Sequence, residues 1–285
     1  MKGKNVFLTV KDHSVSGEEF QLVFNEEGDL LKTTPRPSLE KLPEYYKSEH
    51  YISHTDGKRN LVEIIYQIVK SFALKRKLKL INSLKQNRGS LLDVGCGTGD
   101  FLKIAQQDGW QVTGIEPNDK ARLIANTKTK SNVFDSEELF NLNPSSFDVI
   151  SLWHVFEHLP KLEEHLSRFN KLLKPNGTLI IAVPNYKSYD ARHYKNFWAA
   201  YDVPRHLWHF SKRAIARMLK TENMEVTRID PMIFDSYYVS LLSEKFKSGT
   251  MNPIKAFWVG WRSNTKAKRT GEYSSLIYIM KRTKT

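Results

Sequence analysis

The chain has one cysteine, Cys96, among its 285 residues. That excludes an internal disulfide and a cysteine-based zinc site. No apolar run approaches the roughly 20 residues needed to cross a bilayer. The start, MKGKNVFLTV, is too short and too quickly charged for a secretory signal. A soluble, cytoplasmic protein is therefore expected. The phosphate-gripping lysine of a G-x-x-x-x-G-K loop is missing, which argues against a nucleoside triphosphate as ligand. Neither internal repeats nor low-complexity segments occur. Acids are the minority charge, 31 Asp and Glu against 44 Lys and Arg, for a net charge of +13. The excess clusters: residues 58 to 88 carry nine basic side chains against Glu63 alone. A solvated basic face, an anionic membrane surface and an acidic substrate all suit such a charge, with nucleic acid less so.

What is present is organised around Leu91-Leu92-Asp93-Val94-Gly95-Cys96-Gly97-Thr98-Gly99-Asp100. The apolar run reads as a buried strand, and the alternating glycines as a sharp loop. Phe101, Leu102, Ile104 and Ala105 then follow at helical spacing. Glycines let a ligand approach the backbone, and a helix start offers free N–H groups. A dinucleotide loop would carry its third glycine at position 100, but Asp100 stands there and the glycine comes one place early. The next strand, Gln111 to Ile115, ends on Glu116-Pro117, 21 residues beyond Gly95. An acid at that distance can take both hydroxyls of a ribose.

Asp93, Gly95, Gly97 and Gly99 resemble motif I of class I S-adenosylmethionine (SAM) methyltransferases. The resemblance implies an α/β fold, a doubly wound seven-stranded Rossmann-like sheet whose last strand is antiparallel. It also implies SAM as cofactor, held by Asp93, Gly95, Cys96, Gly97, Gly99, Glu116 and Pro117. Asp135, after the short strand Asn132 to Phe134, would reach the adenine amino group. The methyl would point toward Trp153-His154, at the end of the strand Phe147 to Leu152. The order continues with a helix from about Leu162 to Leu173 and a strand from Thr178 to Val183. A helix capped by Ser211, a strand from Met224 to Ile229 and a closing strand from Ser274 to Met280 complete it. This domain spans residues 89 to 285, with a lid segment at 186–210 and an insertion at 231–270 read as helices near the site mouth.

Residues 1 to 57 read as a small appended module with strands at Val6–Val10 and Phe20–Phe24 and a turn at Asn25–Gly28. The Pro35-Arg36-Pro37 segment and Tyr45-Tyr46 resemble the N-terminal region of many bacterial methyltransferases, where a small zinc ribbon precedes them. Here the second cysteine pair would fall near Phe24 and Glu27, so the module is degenerate and expected to hold no zinc. Residues 58 to 88 read as a basic amphipathic helix and linker. Its stripe is Leu61, Ile64, Ile65, Ile68, Phe72, Leu78 and Ile81, with the basic residues mostly opposite.

Two constellations carry chemistry. The first is His154-Val155-Phe156-Glu157-His158, which matches a zinc-protease pattern by letters but starts at a strand end rather than inside a long helix. It resembles instead the E-x-x-E-H segment of ubiquinone-biosynthesis O-methyltransferases, which implies a divalent metal near the acceptor hydroxyl. Here His154 replaces the first acid, so no metal is assigned. His154, Glu157 and His158 stand only as weak metal candidates, suited to a borderline ion. The second is the aromatic-rich stretch Asn196 to Ser211, with Arg205, His206 and His209. It too resembles a segment of that group, and reads as a lid over the methyl acceptor. His158, His206 and His209 are the candidate bases for a hydroxyl acceptor. The expected function is SAM-dependent transfer of a methyl group to a small molecule, most simply to a hydroxyl. Peripheral membrane contact through the basic helix and Phe257, Trp258 and Trp261 is a further expectation. A nucleic-acid-modifying methyltransferase and a non-catalytic SAM-binding protein are the alternatives.

Overall fold

The computed structural model describes residues 5–38, 40–46, 61–85 and 87–283. Tyr51, which follows the Tyr45-Tyr46 pair, Lys58 and Arg59 of the basic stretch, and the side chains of Leu61, Ile64, Ile65 and Ile68 lie outside the described set. The chain opens with β1 (Val6–Lys11), β2 (Glu19–Phe24) and β3 (Leu31–Thr34), an antiparallel meander. Side chains close both turns. Asp12 accepts the backbone N–H groups of Ser14 and Ser16 at 3.0 and 2.9 Å. Asn25 Oδ1 accepts those of Asp29 and Leu30, both at 3.0 Å. Such short polar side chains satisfy a turn's own donors.

A long helix α1 (Leu61–Leu84) leads into the alternating core: β4 (Ser90–Val94), α2 (Asp100–Gln107), β5 (Gln111–Ile115), α3 (Asp119–Thr129), β6 (Val133–Phe134), α4 (Glu138–Asn141) and β7 (Phe147–Trp153). Then come α5 (Leu162–Leu172), β8 (Leu173–Pro184), α6 (Tyr189–Tyr194), β9 (Trp208–His209), α7 (Lys212–Lys220) and β10 (Met224–Pro231). The 231–270 insertion forms a helical hairpin, α8 (Asp235–Ser248) and α9 (Pro253–Thr270), before β11 (Ser275–Arg282). The large sheet runs β10-β11-β8-β7-β4-β5-β6, with only β11 antiparallel to its neighbours. This is the doubly wound order expected. Strand β8 starts at Leu173 rather than Thr178, because Leu173 already pairs with Phe147.

Alternation decides which face each strand residue serves. Leu91, Val149 and Ile180 point to the side covered by Ile81 of α1, Phe101 and Leu102 of α2, and Trp110. Leu92, Ile150, Leu179 and Ile181 point to the other side, against Leu166 and Phe169 of α5 and Ile215 and Leu219 of α7. Both faces are covered, as a parallel sheet requires.

The 186–210 segment is not a free flap. Its strand β9 pairs antiparallel with β3, Leu31 opposite His209 and Lys32 opposite Trp208, making a four-stranded sheet β1-β2-β3-β9. Module and lid, read as separate parts in sequence, are one packed unit. Arg36 of the Pro35-Arg36-Pro37 segment lies over the Trp208 ring at 3.9 Å, and Trp208 Nε1 donates to the Leu159 carbonyl at 2.8 Å.

Where α1 hands over to β4, the largely buried carboxylate of Asp148 gathers Lys85, Lys174 (2.7 Å) and the backbone N–H and hydroxyl of Ser90, each at 2.9 Å. Burial would raise its pKa, but the two ammonium groups and the Ser90 donors outweigh burial and hold it far below the usual carboxylate range. A depressed folded-state pKa stabilises the fold at pH values above the unfolded pKa of about 3.9 and loses that contribution as pH falls through the folded value. Asp148→Asn is expected to cost about 1–3 kcal/mol at neutral pH. Thermal melts across pH should show the gap between variant and wild type narrowing below about pH 4; a gap independent of pH contradicts the account.

Candidate active site

The glycine loop leaves the carboxyl end of β4 at the point where strand order reverses, β5 lying on one side and β7 on the other. Crevices there are where such sheets bind ligands. Gly95 and Cys96 N–H groups donate to the Ile115 carbonyl at 2.7 and 3.1 Å, which ties the loop to β5. Gly97 has φ +56° and open space where a Cβ would stand, so the backbone is bare on the ligand side. Gly99 serves another need. A Cβ there would lie 2.9 Å from the Ala125 backbone, so glycine lets α2 and α3 close together. The half-buried Cys96 thiol is pushed well above its usual pKa by burial, which removes it as a nucleophile.

Glu116 turns back toward this loop. Its carboxylate accepts from Gly97 N–H at 2.8 Å and from Asn118 N–H at 2.9 Å, and burial raises its pKa. Asp93 lies beneath the loop and accepts from the Ser151 hydroxyl at 2.6 Å; burial pushes its pKa up to about 6. Asp135 sits exposed at the end of β6, where it caps the following turn through Glu137 and Glu138 N–H.

Lys77 of α1 is a site residue that sequence reading passed over. Its ammonium lies 4.5 Å from the centroid of Trp153 and 5.8 Å from that of Phe101. Burial pulls its pKa down, against the opposing charges of Asp93 and Asp235. The buried Trp153 Nε1 has no partner among the described residues. An acid beside the glycine loop, a cation over Trp153 near Asp93, and an aromatic ring with an orphaned donor fit a ligand with ribose, carboxylate and a positive centre.

Beyond β7 the chain makes a tight turn at His154, φ +57°. His154 Nε2 pairs with Asp235 of α8 at 3.0 Å and its Nδ1 lies 3.4 Å from Glu157. Burial alone would lower its pKa; the two carboxylates win and push it up to about 10. Glu157 is fully buried, and neither carboxylate oxygen has a hydrogen-bond partner among the described residues.

The rest of the cluster faces that carboxylate. His158 Nδ1 lies 3.0 Å from both the Arg205 carbonyl and the Tyr46 hydroxyl. His206 Nδ1 lies 2.9 Å from the Ala200 carbonyl. Carbonyls only accept, so both rings carry a proton on Nδ1; burial pulls the His158 pKa down to about 4, so that ring is neutral and its Nε2 keeps a lone pair. The two rings meet edge to face at 4.6 Å. One ligand atom from each of Glu157, His158 and His206 lies within 4.8 Å of the others. A carboxylate and two imidazoles so placed make a donor set suited to a borderline divalent ion, with the His154 cation beside the carboxylate, its Nδ1 at 3.4 Å. His206 thus joins Glu157 and His158, while the candidate His154 is drawn toward Asp235.

His209 is not brought into this cluster. Its Nε2 meets the Thr33 hydroxyl at 3.0 Å inside the small sheet, and that hydroxyl donates to the His206 carbonyl at 2.6 Å. Arg205 is a buried clamp rather than a ligand: it grips Asp202 (2.6 Å), Asp12 (3.1 Å) and the Tyr45 carbonyl (2.9 Å).

With this geometry in hand, sequence comparison places the chain: it belongs to the methyltransferase domain family, matched over residues 67–229. The ubiquinone biosynthesis O-methyltransferase of Vibrio atlanticus (strain LGP32) is 35% identical over 108 residues, which cover 35% of this chain and 46% of that one. The chain thus matches about half the length of that relative. Two solved structures share the fold. A SAM-dependent methyltransferase from Archaeoglobus fulgidus aligns with TM-score 0.52 and 21% identity, covering 74% of this chain and 94% of that one. Magnesium protoporphyrin IX methyltransferase from Synechocystis PCC 6803, solved with bound SAH, aligns with TM-score 0.56 and 15% identity, covering 86% and 100%.

The donor set is directly testable. Added Mn2+, Co2+ or Zn2+ should raise the melting temperature of wild type, by an amount that grows with ion concentration. Glu157→Gln and His206→Ala should each abolish the shift. A shift that survives both substitutions places the ion elsewhere.

Proposed function

We propose that the chain transfers the methyl group of SAM to a hydroxyl of a small molecule. The observation that carries this reading is the placement of two chemistries on one sheet edge. Glu116, Gly97 and Lys77 form a nucleoside-and-carboxylate crevice over β4 and β5. Glu157, His158 and His206 form a base cluster just past β7. SAM supplies an electrophilic methyl on a sulfonium with a neutral leaving group, so alignment at about 3–3.5 Å accounts for much of the rate. Glu116 takes the ribose hydroxyls, and Lys77 takes the methionine carboxylate. Trp153 offers its ring face to the positive centre.

The histidines act on the acceptor. A neutral imidazole with its Nδ1 proton tied to a carbonyl presents Nε2 as a base for a hydroxyl proton. Glu157 lies beside both rings, so it stabilises either one once protonated. A divalent ion on the same three residues would bind the acceptor oxygen and lower its pKa. The likeness to an O-methyltransferase over 108 residues supports a hydroxyl acceptor. The small sheet packs against the base cluster through β9, whose Trp208 donates to the Leu159 carbonyl next to His158, which supports a small-molecule acceptor.

Two measurements separate binding from chemistry. Calorimetry with S-adenosylhomocysteine should show losses of about tenfold to a hundredfold for Glu116→Ala and Lys77→Met, the cost of a missing charged hydrogen bond. Gly97→Val should lose more, since a β-branched residue is strained at φ +56°. Unchanged affinity in all three removes the cofactor assignment. With a candidate catechol or phenol acceptor, His158→Ala and His206→Ala should lower kcat at saturating SAM by about 10²-fold or more while SAM affinity stays near wild type. Full turnover in both places the base elsewhere.

A further inference from the structure

The α8–α9 hairpin carries an outward face that the methyl-transfer reading does not use. Its inner face is made of small residues. Ser236, Val239, Ser240 and Ser243 of α8 meet Ala256, Val259, Gly260, Ser263 and Ala267 of α9. A Cβ on Gly260 would lie 3.0 Å from the Tyr237 backbone, so the two helices are in close contact. The outer face is the opposite. Met251, Ile254, Phe257, Trp258 and Trp261 are 47 to 74% exposed. The last four recur at helical spacing on one side of α9. The rings contact one another: Phe257 to Trp258 at 6.1 Å and Trp258 to Trp261 at 5.6 Å. Large side chains gathered in this way mark an interaction surface rather than scattered exposure.

Charge identifies the partner. Helix α9 has five basic residues, Lys255, Arg262, Lys266, Lys268 and Arg269, and no acidic residue. Both carboxylates of α8 are engaged within the protein: Asp235 pairs with His154, and the buried Glu244 pairs with Lys255 at 3.1 Å. Among the described residues no salt bridge engages Lys247, Lys268 or Arg269, while Arg262 and Lys266 lie over the Tyr189 ring at 5.6 and 4.1 Å. A second copy of this chain would bring like charges together across the contact. An anionic bilayer offers the complement: phosphates for the basic flank and C-terminal end, and a headgroup boundary for Trp, Phe and Ile.

We propose that this face of the α8–α9 hairpin docks the protein on anionic phospholipid membranes, with Ile254, Phe257, Trp258 and Trp261 entering the headgroup region. The contact is peripheral: no described helix is long and apolar enough to span a bilayer.

Co-flotation of the full chain with vesicles at about 0.15 M salt tests it. Wild type should float with phosphatidylcholine vesicles containing phosphatidylglycerol and stay behind with phosphatidylcholine alone. The triple variant F257S/W258S/W261S should lose binding by about tenfold or more, and K268E/R269E should weaken it in the same direction. All five positions are exposed, so both variants should keep the wild-type melting temperature, which is measured alongside. Failure of wild type to float, or full flotation of the triple variant, overturns the proposal. So does a concentration-dependent dimer in sedimentation that the triple variant abolishes, with no vesicle binding; the face then belongs to a second copy.

Discussion

Arg205 is the constraint on which the site depends. Its guanidinium is buried, and burial opposes its charge; Asp202 and Asp12 outweigh that cost and hold it firmly protonated. It spans three parts of the chain at once, the β1–β2 turn through Asp12, the Tyr45 backbone, and its own loop through Asp202. Its backbone carbonyl takes the Nδ1 proton of His158, which sets that ring's tautomer and leaves Nε2 free. Removing one partner from such an ion pair strands buried charge, at about 3–5 kcal/mol. Loss of the clamp would therefore release the base cluster and the small sheet together.

The parts of the fold legible in sequence were those written in local pattern. The glycine spacing at 95, 97 and 99, Glu116 after its strand, and the alternation of apolar strands with helical stripes each involve neighbours in the chain. They marked out the alternating strands and helices and the glycine loop; the sheet order and its antiparallel closing strand came from the family resemblance that these residues carry. The first two strands of the N-terminal module and the turn at Asn25 were legible in outline; that Asp12 and Asn25 close the two turns with their side chains was not.

What sequence concealed was pairing across distance. Lys77 sat in a helix whose basic residues read as a solvated face. Nothing local says that one of them turns inward over Trp153. The diversion of His154 by Asp235 depends on an insertion some eighty residues away. His206 and His209 are three apart and share a motif, yet one faces Glu157 and the other is consumed by Thr33, because β9 pairs with β3. A two-residue strand carries no periodicity to read. Its partner lies at the far end of the chain.

The pairing of β9 with β3 also bears on where the enzyme can be cut. Residues 67–229 match the family, but that span stops inside β10 and excludes β11, which joins β10 to β8 in the large sheet. It also omits β1 to β3 and Asp12. A protein trimmed to the family boundaries would expose the open flank of β8 and the Trp208–His209 edge. It would leave the Arg205 charge balanced by Asp202 alone. Unpaired strand edges beside buried apolar residues invite aggregation. The family span is a unit of descent in this chain; the unit of folding is larger, and includes both ends of the described polypeptide.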